Sequence, residues 1–356
     1  MKGKTQDKLS IFLISLYILT SCSLNTNDRH NVQIFDDFPI TVNLSHEKIV
    51  TDSILYSVGG LLLLDSVLIS IDFKADTFFQ VFKLPSFQHI GGFITKGPGP
   101  KEEINIDPFI GQVSNSEFLY KSLSSIKYVK YNNHTNSLEI TTQINLPTDL
   151  IEVWNPIKLG DTIISNKAFS LTDREYIGYN IKNKTQFDFG SNYPSVGEKI
   201  DIKLKAMVFA KANIVKPDGS AFACVYDKFP ILRIYTNSGK LKKEIRFKNG
   251  QSFPYALIEH NPSIYSFKDV MQNYRFIKSS DKYIYASYVG KSANELLSEG
   301  ISYFSNEIHV WNWDGEPIKR IILDENIFAF EVDSLDNYLI ASSLLSIDTF
   351  YKYNLK

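Results

Sequence analysis

Six residues between positions 154 and 331 have side chains suited to binding a polar ligand. They are Trp154, Asn155, Asn213, Tyr274, Arg275 and Glu331. Arg275 can bind an anionic or carbohydrate ligand by paired hydrogen bonds or by stacking, and Tyr274 is its neighbour in the sequence. The competing interpretation pairs Arg275 with Glu331 as solvated channel residues, because structural ion pairs outnumber functional sites. One Glu and two Asn are too few to predict a metal site.

Familiar catalytic motifs are missing from the sequence. His46-Glu47 lacks the second His of a zinc-protease motif, and no Gly-x-Ser-x-Gly occurs. Gly290-Lys291-Ser292 is a broken phosphate loop, because Tyr285 stands where its first glycine belongs. The sequence therefore predicts no cofactor and no metal, and it favours a non-enzymatic protein.

Short alternating runs of Tyr, Phe, Ile and Val, separated by Gly, Asn, Asp and Ser clusters, are typical of β-strands. A turn residue followed by a strand recurs at an average spacing of about 54 residues, which is typical of four-stranded propeller blades. The turn positions are Asp65, Glu117, Asp161, Asp218, Asp281 and Asp336.

A second repeat supports this organisation. Residues 232–245 and 308–321 share a strand, a glycine turn and a returning strand, as expected for the outer hairpins of two blades. We predict an all-β, six-bladed propeller of four-stranded antiparallel blades, with the six candidate residues on the innermost strands. The last blade lacks a strand, and an open sheet edge risks association. We expect residues 32–44 to supply that outer strand and close the ring.

A glycine-proline segment follows the first predicted blade: Lys96-Gly97-Pro98-Gly99-Pro100-Lys101-Glu102. With residues 60–104 around it, this segment resembles the TolB-like six-bladed propeller lipoproteins, a family without an established function. Lys101 replaces a glycine of the family signature. The segment is interpreted as a rigid link between blades one and two. The alternative is a channel-mouth loop whose ligand contacts come from Lys96, Gly97, Gly99 and Glu102.

The N-terminus has a basic start, an apolar run from Ile11 to Leu19 and then Leu19-Thr20-Ser21-Cys22. The last four residues resemble a lipobox, which implies that residues 1–21 are removed and that Cys22 carries a lipid. Residues 22–31 then form a tether and residues 32–356 the propeller. An uncleaved anchor is the alternative. Because Ser23 is not Asp, the resemblance implies an outer-membrane protein that faces the periplasm.

Removing residues 1–21 takes three of 38 basic and one of 39 acidic residues, which leaves a net charge of −3. So small a charge argues against nucleic acid as a partner. Cys224 is the second of two cysteines, so a lipidated Cys22 leaves no pair for an intramolecular disulfide. Residues 54–71 are apolar, but Asp65 lies near their middle, which favours two strands over a membrane helix.

Two long segments, 166–194 and 288–305, are interpreted as loops, with a short helix over 292–299. Tyr193, Tyr288, Tyr303 and Phe304 in these segments are a second candidate surface, an aromatic patch for a glycan or peptide.

The leading functional hypothesis is a lipid-anchored envelope propeller that binds or scaffolds a protein or glycan partner. The alternative is a propeller-type hydrolase or lyase that acts through the central channel by means of Arg275 and Glu331.

Overall fold

A computed structural model describes residues 32–150, 152–196, 200–248, 270–299, 304–343 and 345–356. Six sheets, each with four antiparallel strands at its core, surround one axis as the blades of a β-propeller, which confirms the predicted fold. The predicted leader, Cys22 and the tether lie outside the described residues.

Blades one to three each take four consecutive strands. Blade one consists of β4 (Val58–Leu64), β5 (Val67–Asp72), β6 (Thr77–Lys83) and β7 (Gln88–Thr95). Blade two consists of β8 (Gly111–Ser114), β9 (Glu117–Ser122), β10 (Ser125–Asn132) and β11 (Ser137–Asn145). Blade three consists of β12 (Trp154–Leu159), β13 (Thr162–Asn166), β14 (Arg174–Asn180) and β15 (Thr185–Asn192).

Blades four to six also take strands from the N-terminal segment. Blade four consists of β16 (Lys211–Val215), β17 (Ala221–Tyr226), β18 (Ile231–Thr236), β19 (Leu241–Phe247) and β1 (Val32–Phe35). Blade five consists of β20 (Met271–Ser279), β21 (Tyr283–Ser292), β22 (Ser305–Asn312), β23 (Pro317–Ile327) and β2 (Thr41–Leu44). Blade six consists of β24 (Ala329–Val332), β25 (Tyr338–Ser342), β26 (Thr349–Asn354) and β3 (His46–Val50).

An N-terminal strand closes the ring, but it is not the predicted one. Strand β3 pairs antiparallel with β26 and completes blade six. Residues 32–44 were expected in that place, and this was wrong: β1 adds to β19 and β2 adds to β23, both in parallel. The N-terminal segment therefore covers the outer edges of blades four and five before it completes blade six.

The six predicted turns lie between the first and second strand of each blade, with Glu117 as the first residue of β9. We call this end of the ring the turn face, and the opposite end, where the second strand connects to the third, the loop face. Residues 54–71 form β4 and β5 around the turn at Asp65, as predicted. No helix in the described part of the chain has the length and apolar character needed to cross a membrane.

Helices are short and lie between strands: α1 (Ile202–Val208), α2 (Ala293–Ser298) and a 3-10 turn (Thr148–Leu150). The predicted helix over 292–299 is confirmed as α2, with Ser292 as its N-cap. The prediction of a loop over 166–194 was wrong, because β14 and β15 occupy most of it.

Apolar clusters fill the spaces between neighbouring blades, as where Phe79 of blade one meets Phe118 of blade two with ring centroids 5.3 Å apart. Between blades three and four the packing includes charges. The Arg233 guanidinium donates to Glu175 at 3.0 Å and to Glu244 at 2.7 Å, and all three side chains are buried. Cys224 lies beside them, fully buried, and burial raises the pKa of its thiol to about 12.

Candidate functional site

The six innermost strands surround an axial channel. Each is paired with a neighbouring strand on one side only, and its other edge faces the axis. A cavity of about 400 Å³ lies at the turn-face end of this channel. Its wall comes from all six blades, which contribute residues near the end of each inner strand and, except in blade five, from the turn that follows. We call it the main cavity.

An ion pair lies on the wall of the main cavity. The Lys278 ammonium of β20 donates to the Glu331 carboxylate of β24 at 2.6 Å and to the carbonyl of Leu61 in β4 at 2.7 Å. Three blades therefore meet at this one ammonium group. Burial raises the pKa of the Glu331 carboxyl, although Lys278 opposes that effect.

The wall carries a second ion pair and, counting all its charges, four acidic and three basic side chains. Lys216 pairs with Asp218 at 2.6 Å near the mouth, and this contact with Lys216 does most to hold the pKa of Asp218 down, to about 2. The Lys158 ammonium lies 5.3 Å from the centroid of the Tyr128 ring. Asp333 accepts hydrogen bonds from the backbone of its own turn and from Asn337. The cavity therefore shows little excess of either charge.

A smaller cavity of about 30 Å³ lies deeper along the channel. It shares Ile110, Asn213, Ile214 and Lys278 with the main cavity and also reaches Asn155.

Asn155 is 3% exposed, and its amide nitrogen has no hydrogen-bond partner among the described residues. Its backbone has a φ of 50°, a left-handed conformation that Asn tolerates better than most residues. The Asp107 carboxylate accepts from the backbone N–H of Asn155 at 2.8 Å and from the backbone N–H of Phe109 at 2.9 Å, which fixes the chain there. Burial raises the pKa of Asp107.

An aromatic cluster borders the smaller cavity, with Phe109 and Phe276 on the cavity wall. The Phe109 ring lies 5.8 Å from Trp154 and 6.4 Å from Phe276, and Phe276 lies 5.7 Å from Phe328. Arg275 belongs to this cluster, with its guanidinium carbon 4.9 Å from the Phe328 centroid. The expected pairing of Arg275 with Glu331 was wrong, because Lys278 is the cation that meets Glu331.

The remaining candidate residues are engaged with the protein itself. Tyr274 is buried between blades four and five, where its hydroxyl lies 2.9 Å from His309 Nδ1. Asn213 lies on the cavity wall, but its amide is bonded to Asn166 at 2.9 Å and to Tyr176 at 3.1 Å. The structure thus brings Asn155 and Glu331 to the channel cavities and turns Tyr274 away from them.

The glycine-proline segment folds on itself between blades one and two. The Gly99 amide donates to the Glu102 carboxylate at 2.9 Å, and a Cβ at Gly97 would collide with that carboxylate. Lys96 donates to the Ala75 carbonyl and lies 4.9 Å from the Phe78 centroid. Residues 96–102 are not among the described residues that line either cavity. These contacts favour the interpretation as a rigid link.

The predicted aromatic patch is not a surface. Tyr193, Tyr288 and Phe304 are each at most 8% exposed, and Tyr303 lies outside the described residues. Large exposed apolar side chains occur instead at several loop-face tips, among them Phe169, Leu171, Leu345 and Ile347, and also at Leu335 on the turn face. The turn face, where the main cavity lies, carries the acidic turns.

The model of the TolB-like 6-blade propeller-like family matches residues 54–335. The chain belongs to this family. No curated protein matches its sequence. Its fold is similar to that of a Bacteroides fragilis protein described as a candidate exported protein, with 13% identity, a TM-score of 0.58, and 91% of this chain and 100% of that chain covered. It is also similar to a Bacteroides vulgatus member of the DUF4221 family, with 11% identity, a TM-score of 0.56, and 88% and 97% covered.

Sequence reasoning missed three residues that shape the site of this TolB-like propeller. Lys278 stands three residues before the turn at Asp281, and Lys158 stands three residues before the turn at Asp161. A lysine repeated at the same distance before the turn of two inner strands was a detectable signal. Asp107 precedes Pro108, outside any strand, and no periodic pattern points to it.

The described residues include no group of three or more His, Cys, Asp or Glu side chains arranged to hold a metal ion. What the site offers is a matched ion pair, inner-strand backbone edges, a buried amide and apolar side chains such as Ile214 and Leu62. Such a set can bind and orient a ligand.

Proposed function

We propose that this TolB-like propeller is a cell-envelope binding module that holds a small ligand, or the end of a larger glycan or peptide, in its main cavity. The observation that carries the proposal is the cavity of about 400 Å³ to which all six blades contribute. Its size lies within the usual range of small-molecule sites, about 300–1,000 Å³. A rigid ring that places matched charges and apolar contacts around such a cavity is preorganised for binding.

Two observations support a place in the envelope. A protein of similar fold is described as a candidate exported protein. The N-terminal sequence also resembles a lipoprotein leader that ends at Cys22. We propose a lipid anchor on Cys22 and an outer-membrane location facing the periplasm, where the turn face would meet soluble ligands.

Thermal shift of the chain from residue 23 onward tests the binding function. Saccharides, short peptides and nucleosides serve as probes, since a ligand at about 100 times its Kd stabilises the folded state by about 2.7 kcal/mol. Ser114→Trp places an indole at the cavity wall, and Thr142→Trp places one on the exposed outermost strand of the same blade.

We expect at least one probe to raise the Tm of the parent chain and of the Thr142→Trp variant but not that of Ser114→Trp. No shift with any probe, or equal shifts in both variants, would contradict a ligand site in the main cavity.

A hydrolase or lyase is the second candidate, and one observation favours it. The Glu331 carboxyl is buried on the cavity wall beside Lys278 with a raised pKa, which is a common property of general acids and bases. Under this hypothesis Glu331→Gln abolishes turnover of a bound ligand and leaves its affinity nearly unchanged. Arg275 lies in the aromatic cluster rather than on the wall of the main cavity, so it is not assigned a role in this reaction.

A further inference from the structure

We propose that the ligand of the main cavity is a neutral, hydroxyl-rich molecule, a mono- or disaccharide or the end of a glycan, and that its deepest hydroxyl bonds to the Asn155 amide. This inference rests on the proposed binding function and names the chemical class of the ligand.

The balance of charge in the main cavity favours a neutral ligand. Lys278 already meets Glu331, and Lys216 already meets Asp218, each at 2.6 Å. The whole wall has four acidic and three basic side chains, so it offers little net charge to compensate that of a charged ligand, and burying an uncompensated charge is costly. A neutral ligand avoids that cost and can still accept from Lys278 or donate to Glu331.

The inner strands favour hydroxyl groups. Each innermost strand has one edge without a strand neighbour, and that edge presents backbone N–H and C=O groups towards the axis. Side chains already bond some of these groups, since Lys278 donates to the Leu61 carbonyl and Ser279 to that of Val215. A hydroxyl both donates and accepts, so a ligand carrying several hydroxyls can match both kinds of group without a fixed register. The apolar side chains between them, such as Ile214 and Val332, can contact the C–H faces of a sugar ring.

Asn155 supplies a specific contact at the deep end. A buried side-chain amide donor without a partner loses its hydrogen bond to water with nothing in exchange, so a group that accepts from it is expected. The smaller cavity at Asn155 is large enough for one water, which needs about 10–15 Å³. Because the two cavities share wall residues, a ligand in the main cavity can place one hydroxyl where that water fits.

The test measures Kd by calorimetry for neutral mono- and disaccharides, with glucosamine and glucuronate as charged counterparts, on the chain from residue 23 onward. Asn155→Asp keeps the size and the tolerance of positive φ but replaces the donor, and Asn155→Gly removes the amide while keeping the backbone free. Asn136→Asp is the matched control, because Asn136 has a φ of 49° in a turn that does not line the cavities.

We expect a neutral saccharide to bind more tightly than both charged sugars. We also expect both Asn155 variants to weaken that binding by about tenfold, equivalent to about 1.4 kcal/mol, while Asn136→Asp leaves it unchanged. Tighter binding of a charged sugar, or unchanged affinity in both Asn155 variants, would overturn the inference.

The inference can fail while the binding function stands. Suppose that no saccharide binds but that another probe raises the Tm and that Ser114→Trp abolishes this shift. The inference of a saccharide ligand is then wrong, while the main cavity remains a ligand site. If no probe of any class shifts the Tm, both the saccharide inference and the proposed binding function fail.

Discussion

Removing the cation of the cavity ion pair should destabilise this propeller strongly. Lys278→Met keeps a long unbranched side chain but leaves the Glu331 carboxylate, 8% exposed, without its partner at 2.6 Å. It also removes the hydrogen bond to Leu61 that links a third blade. Breaking one side of a buried pair typically costs about 3–5 kcal/mol, and we expect a loss in that range at neutral pH.

The loss should shrink in acid. Burial already raises the pKa of Glu331 above its ordinary 4.5, and Lys278 opposes that rise. Without Lys278 the folded-state pKa rises further, so the folded variant binds a proton more tightly than the unfolded chain does. Its stability then increases as the pH falls through that raised pKa, by up to about 1.4 kcal/mol per pH unit, until the ordinary carboxyl pKa is reached.

Urea unfolding at about pH 7.5 and about pH 5 measures both effects. Lys216→Met is the matched control, because the Lys216–Asp218 pair has the same 2.6 Å separation but Asp218 is 47% exposed, and such pairs contribute at most about 1 kcal/mol. Glu331→Gln added to Lys278→Met should recover much of the loss. If Lys278→Met costs no more than Lys216→Met at both pH values, the ion pair does not have the buried character assigned to it.

Three further predictions concern the N-terminal segment and the cysteines. Phe38→Ala should lower the unfolding free energy by about 3 kcal/mol in urea titration, because the Phe38 ring is 5% exposed and packs 4.4 Å from His309; a change below 0.5 kcal/mol, on the order of a surface substitution, would contradict this. Cys224 should resist a thiol reagent until urea unfolds the chain, since its thiol is fully buried and has a raised pKa; labelling at the rate of a free thiol in native buffer would show otherwise. Cys22→Ser should move the protein from the membrane pellet to the soluble periplasmic fraction, and persistence in the pellet would favour an uncleaved anchor.

The blade repeat was predictable because its signals are local. One acidic turn and the alternating strand after it together span about ten residues, and their pattern can be read without knowing which distant part of the chain they contact. The closing strand was not predictable in the same way. Residues 32–35, 41–44 and 46–50 all form short strands, and the strands that they join lie roughly 200–300 residues away. Local alternation does not say which of them meets β26.

The sequence predicted the positions of the inner strands correctly, but it did not predict which of their side chains face the axis. In β20 the register shifts on both sides of Tyr274, and each irregularity changes which residues face the axis. Tyr274 therefore points between blades while Lys278 reaches the cavity. In β12 the register shifts between Trp154 and Ile157, where Asn155 takes its positive φ. Simple alternation predicts strands well and fails at such irregularities, and here these are the positions that build the site.

The N-terminal pairing also changes the geometry of the proposed anchor. The tether was expected to join the last blade, whereas β1 starts on the outer edge of blade four, with Val32 opposite Glu244 near the middle of β19. Nine residues separate Cys22 from Val32 and span about 30 Å when extended. A lipid on Cys22 would therefore hold the ring by its rim rather than by either face. Because the main cavity lies at the turn face, such an attachment leaves its mouth accessible to ligands while the propeller stays close to the membrane.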